Sequence, residues 1–65
     1  MNWLKPKDTA QLTDCGKYSV CRIGDNGRRT YEAWRTRKHP DGPKCLGVGL
    51  QTAEAARRTC EAAHD

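Results

Sequence analysis

Phenylalanine is absent from this 65-residue sequence, methionine occurs once, and only 35% of the residues are hydrophobic. A chain this short buries only ~60% of its unfolded surface, and a mean hydropathy of −0.98 leaves little apolar bulk to bury. The candidate core therefore reduces to Trp3, Leu4, Tyr18, Val20, Ile23, Tyr31, Trp34, Leu46, Val48 and Leu50. A substrate cavity of roughly 300 Å³ or more needs walls that so few large residues can hardly supply. An enzyme is not expected.

Long apolar runs are missing as well. Nothing approaches the ~20 residues of a membrane span, and "MNWLKPKDTAQ" has no apolar stretch of the signal-peptide kind. These absences lead to the expectation of a cytoplasmic protein, with its four cysteines as thiols. Tight cysteine pairs are also lacking, since Cys15, Cys21, Cys45 and Cys60 are widely spaced. Structural zinc normally needs such pairs. Cys60 and His64, four apart on a helix, are the weak metal candidates, and a small zinc-binding domain is the corresponding alternative. "CLGVGLQT" lacks the third Gly and the Lys of a phosphate loop, so no cofactor is expected.

What the chain has is positive charge in one place. Of the formal net charge of +4, the segment 22–45 carries seven basic groups (Arg22, Arg28, Arg29, Arg35, Arg37, Lys38, Lys44) against Asp25, Glu32 and Asp41. The segment 46–65 is slightly acidic, so a polyanion would not meet the protein on that side.

"KYSVCRI" (Lys17 to Ile23) has the β-branched and aromatic content of a strand. "GDNGRR" follows, and its Asn-Gly pair (Asn26-Gly27) is a strong signal for a two-residue hairpin turn. "TYEAWRTRK" (Thr30 to Lys38) reads as the second strand and "HPDGP" as a loop. "KCLGVGL" (Lys44 to Leu50) reads as the third, with Gly47 and Gly49 marking a bulge or a close backbone approach. Thr52 stands where an N-cap belongs, ahead of a helix from Ala53 to about His64. The reading is α+β: an irregular arm over 1–16, then one domain over 17–65. That domain is a three-stranded antiparallel sheet packed on a C-terminal helix. Along the helix, Ala53, Ala56, Cys60 and Ala63 form a narrow stripe of small residues, which lets it lie close to a sheet. Alternation turns Tyr18, Val20, Tyr31 and Ala33 toward the helix and leaves Trp34 on the far face beside Cys21 and Ile23. There Trp34 needs a cover, either the Trp3-Leu4 arm or a partner.

The order "YSVCRI", "YEAWRTR", "LGVGLQTAEAARRTCEAAH" resembles the N-terminal arm-site DNA-binding domain of phage tyrosine integrases and the related plant ethylene-response-factor domain. The specific match is Leu46-Gly47 with Thr52, Ala53, Glu54, Ala55 and Ala56. The resemblance implies a sheet that enters the major groove of DNA, contacted by Arg22, Arg28, Arg29, Arg35 and Arg37. The chain departs from the pattern in lacking a catalytic recombinase domain, in carrying Trp3 on its arm, and in placing Trp34 on the face that would read DNA. In size and style it is also similar to small accessory proteins of phages and prophages, which repress genes or block host enzymes or CRISPR complexes.

Two expectations follow for a monomer or homodimer with no membrane role. One is a nucleic-acid-binding module, for DNA rather than RNA. The other is an inhibitor, of the anti-CRISPR kind for example, that binds an acidic host protein surface. Both use the same residues: Arg22, Arg28, Arg29, Trp34, Arg35, Arg37 and Lys38.

Overall fold

A computed structural model describes residues 1–25 and 27–64, with the backbone alone of Asp25. The chain forms β1 (Ala10–Leu12), β2 (Tyr18–Asp25), β3 (Arg28–Arg35), β4 (Lys44–Leu50) and α1 (Ala53–Ala63). The four strands make one antiparallel sheet in the order β1-β2-β3-β4. The helix covers one face, packing on β2, β3 and β4.

The sheet thus has four strands where three were expected, and the fourth comes from the supposedly irregular arm. Ala10, Gln11 and Leu12 pair with Cys21, Val20 and Ser19. Ahead of them the chain doubles back: Trp3 bridges Thr13, and Lys7 and Ala10 exchange backbone hydrogen bonds of 2.8 and 3.0 Å. Asp8, inside that turn, has φ 54°. Residues 2–14 form a narrow strap along the β2 edge of the sheet. Three paired residues are too few to show an alternating pattern, and pairing supplies the order that the pattern did not predict.

Pairing of β2 with β3 runs from Tyr18↔Arg35 to Asp25↔Arg28, the register that a hairpin with a two-residue turn requires. Gly27 has φ +79°, as such a turn demands. Asn26, the other half of the expected signal, lies outside the described residues. At the far end β3 stops at Arg35, short of Lys38. Thr36 still donates its N–H to the Lys17 carbonyl, but its own carbonyl then accepts from His39 N–H and its hydroxyl accepts from Lys38 N–H. Arg37 and Lys38 therefore sit in a turn and not on a strand.

β4 carries extra residues against β3 on both sides of Gly47. Its pairs run Leu50↔Tyr31, Gly47↔Ala33, Cys45↔Trp34. Two residues thus oppose Glu32, and Leu46 has no opposite number. These bulges break strict alternation and explain how Leu46, Gly47 and Leu50 all serve the helix side. The two glycines have different duties. Gly49 takes φ +66°, and nothing lies near the Cβ it lacks. At Gly47 a Cβ would stand 3.3 Å from Thr59 Cγ2, so here the missing side chain lets the helix approach.

The core is small: Tyr18, Val20, Ala33, Ala56 and Cys60 are buried, with Trp3, Tyr31, Leu46 and Leu50 packed around them. Buried Thr13 receives the Tyr18 N–H on its hydroxyl. Thr52 caps α1 by accepting the Ala55 N–H at 3.0 Å. Four expected core residues lie outside: Leu4 (50% exposed), Ile23 (45%), Val48 (61%) and half-buried Trp34. Ile23 is on the face away from the helix, and Val48 falls within a bulge.

Candidate interaction surface

The register sorts the candidate residues into three places. Ser19 pairs with Leu12 on one side and Trp34 on the other, and Trp34 pairs with Cys45. Leu12, Ser19, Trp34 and Cys45 therefore form one row across all four strands, on the face away from the helix. Cys21 with Glu32 and Ile23 with Thr30 make the next rows toward the hairpin tip. Trp34 is half-buried, and its indole N–H donates to Glu32 Oε1 at 3.1 Å. Ser19 is too small to screen Leu12 from Trp34.

The arm does not cover this face. Trp3 packs on the helix side, against the core, and its indole N–H donates to Glu61 Oε2 on α1 at 3.2 Å. Leu4 reaches the strap's outer edge, where it borders a shallow depression together with Leu12. Leu12 (43% exposed) and Ile23 (45%) are thus exposed on one face, which they share with half-buried Trp34.

The arginines do not line that face together. Arg22 pairs across the strands with Tyr31, Arg29 with Gly24, and Arg35 with Tyr18. Alternation puts all three on the helix side of the sheet, Arg22 and Arg29 toward the exposed hairpin tip. Arg28 alone of the strand arginines belongs to the open face. Arg35 is engaged with its own chain, donating from Nε to the Gly42 carbonyl at 2.7 Å and from Nη2 to the Asp41 carbonyl at 3.3 Å. It fastens the 39–43 loop. Arg35→Gln is expected to cost ~1 kcal/mol through these lost bonds, whereas Arg37→Gln should stay within ~0.5 kcal/mol; parallel urea titrations measure both. Arg37 and Lys38 are exposed beyond the end of β3, with the Lys38 stem lying against Gly16.

The weak metal candidates have different neighbours. Cys60 is fully buried, its Sγ 3.8 Å from the Ser19 carbonyl. His64, the helix C-cap, sets its ring edge-on to Tyr18, with centroids 5.8 Å apart. Among the described residues no group of three His, Cys, Asp or Glu side chains is placed to hold a metal. The thiols differ sharply. Burial pushes Cys60 up to about 11, opposed in part by a hydrogen bond from the Trp34 backbone. Exposed Cys15 is held below the ordinary value, chiefly by its hydrogen bond with the Thr13 hydroxyl at 3.4 Å.

One grouping has no counterpart in the sequence reading. Gln11 and Arg57 are 46 positions apart, yet Arg57 Nη1 donates to Gln11 Oε1 at 3.1 Å, across a cleft on the helix side. Its only trace in the sequence is that Arg57 follows Ala53 by four positions and so shares its helix face. Among the described residues no helix is long and apolar enough to cross a membrane. Compared with known proteins, the chain matches no protein-family model, no curated protein and no solved structure.

Proposed function

We propose that this chain is a small non-enzymatic binding module that docks a protein partner on the open face of its sheet. Trp34 is the anchor, Leu12 and Ile23 supply apolar area beside it, and Arg28 marks the rim. The observation that carries this reading is the row Leu12–Ser19–Trp34–Cys45, with Leu12 and Cys45 exposed and Trp34 half-buried, on the face opposite the one Trp3 packs on. Tryptophan and arginine dominate the energetics of protein interfaces, and isolated apolar residues on a surface are ordinary where an aligned set is not. The net charge of +4 favours an acidic partner. Capping an acidic surface on a larger host protein is the inhibitor role expected above.

A nucleic-acid module is the second reading, favoured by a specific feature of the hairpin. Arg28 and Arg29 are exposed beside its tip, and among the described residues neither has an ion-pair partner. In this version the hairpin tip, and not the whole sheet face, meets phosphates.

The two separate in one comparison. A photo-crosslinking amino acid at exposed position 45, beside Trp34 in the same row, should capture one defined protein in the source cell, and the same group at position 58, on the outer helix surface, should not. With that protein purified, Trp34→Ala should weaken its binding tenfold or more while the melting curve hardly moves. Duplex DNA binding that weakens steeply with salt, by about −0.9 per phosphate on a log–log plot, would install the second reading if Trp34→Ala left it intact and Arg28→Glu with Arg29→Glu abolished it.

A further inference from the structure

We propose that the cleft between the N-terminal strap and α1 binds a small phosphate monoester, gripped by the guanidinium groups of Arg22 and Arg57. The cleft holds about 190 Å³ and is bordered by Asp8, Gln11, Arg22, Tyr31, Ala53 and Arg57 among others. Four separate parts of the chain converge there: the strap, β2, β3 and the first turns of the helix. The volume is below the roughly 300 Å³ of drug-sized pockets, so a phosphate and the first atoms of its ester fit where a larger ligand does not.

The two arginines are placed differently and complement each other. Arg57 is half-buried and already oriented, because Gln11 accepts its Nη1–H while the Gln11 amide donates to the Leu4 carbonyl at 2.9 Å. Arg22 is exposed, and among the described residues its side chain has no hydrogen-bond or ion-pair partner. A staple between strap and helix would need one of the five donors of a guanidinium. It would not need a second arginine from another strand at the same cleft. Planar arginine forks match phosphate oxygens two at a time.

The surrounding charges leave the cleft cationic. Glu54, one residue past Ala53, is tied to Arg58 at 2.7 Å. Asp8 is the one carboxylate among the residues bordering the cleft, against Arg22 and Arg57, and it can accept a hydrogen bond from a hydroxyl of the ester. Ala53 opens the helix, which adds the positive end of its dipole. Tyr31, on β3, also borders the cleft.

Nitrogen-15 NMR of the full chain tests this directly, titrating inorganic phosphate and glycerol phosphate against chloride at constant ionic strength. The expected result is a saturable shift confined to Gln11, Arg22, Ala53 and Arg57, with the affinity reduced at least tenfold by Arg22→Gln. Arg22 is exposed, so that variant keeps its fold. Arg57→Lys, which keeps the charge and loses the fork, should also weaken binding. Trp34→Ala should leave the titration unchanged, which separates this site from the open sheet face. Shifts that never saturate, or survive Arg22→Gln, overturn the proposal. So does acetate binding as tightly as phosphate.

Discussion

Replacing Ala56 with leucine should destabilise the domain by ~1–3 kcal/mol, lowering the melting temperature by roughly 4–8 °C per kcal/mol at this size. Ala56 has no exposed surface and belongs to the same cluster as Ala33 and Cys60. The helix comes so near the sheet that a single Cβ at Gly47 would press on Thr59. A leucine side chain has no free volume to enter, so α1 must lift away or Tyr18 and Val20 must leave their positions. Domains of this size seldom hold more than ~3–5 kcal/mol in total, so the variant stands at the edge of unfolding. Ala62→Leu is the control, since Ala62 is exposed on the same helix and such changes stay within ~0.5 kcal/mol. Thermal melts followed by circular dichroism compare the two. Equal melting temperatures would mean that the helix does not rest on the sheet through its small-residue stripe.

Of the expected stripe, Ala56 and Cys60 are buried and Ala53 half-buried, while Ala63 is exposed at the helix end; the buried part was legible in the sequence because the reason for it is local. Residues at three- and four-residue spacing share a helix face, and alanine with cysteine leaves room only for close approach. The β2–β3 hairpin was legible for the same reason: Asn-Gly and the flanking β-branched and aromatic residues each act within a few positions. β1 was not, because Ala10–Leu12 becomes a strand only through partners on β2 and a strap held by Trp3 on Glu61, 58 positions away. Nor was the side of the sheet that Trp3 takes. A tryptophan near the N-terminus can pack on either side of a sheet, and a hydrogen-bond partner on α1 decides the side.

The candidate site shows a conflict that alternation already contained. Turning Tyr18 and Val20 inward turns Arg22 with them, and turning Tyr31 and Ala33 inward does the same to Arg29 and Arg35. A buried Tyr18–Val20 pair and a fully cationic outer face exclude each other, and burial wins because the core has almost nothing else. The resemblance to sheet-reading DNA-binding domains assigned those arginines to one surface. The register divides them among the hairpin tip, the cleft and the 39–43 loop. What the open face holds instead is the Trp34 row, which is why a protein partner is the better fit to this arrangement.

The second large effect is an alkaline loss of stability that originates at one thiol. Burial between α1 and the sheet raises Cys60 from the ordinary 9.0 to about 11. The folded state therefore keeps a proton that the unfolded chain releases. The resulting stabilisation is fully present below pH 9 and is lost as the pH climbs through 11. At 1.36 kcal/mol per pKa unit the amount is on the order of 2–3 kcal/mol, comparable to the whole stability of a small domain. Cys60→Ala removes the titration at the cost of a small void. The difference in urea stability between wild type and this variant should therefore shrink steadily from pH 8 to pH 11. All other titratable groups are common to both proteins and cancel in that difference. Thiol reagents give an independent reading at pH 8, where roughly one Cys60 in a thousand is thiolate. Exposed Cys15 should be modified first and Cys60 only as the protein opens. A stability gap that stays constant with pH, or a Cys60 that reacts as fast as Cys15, would show that water reaches the helix–sheet contact. The close packing that leaves Trp34 and its row as the open face would then lose its foundation.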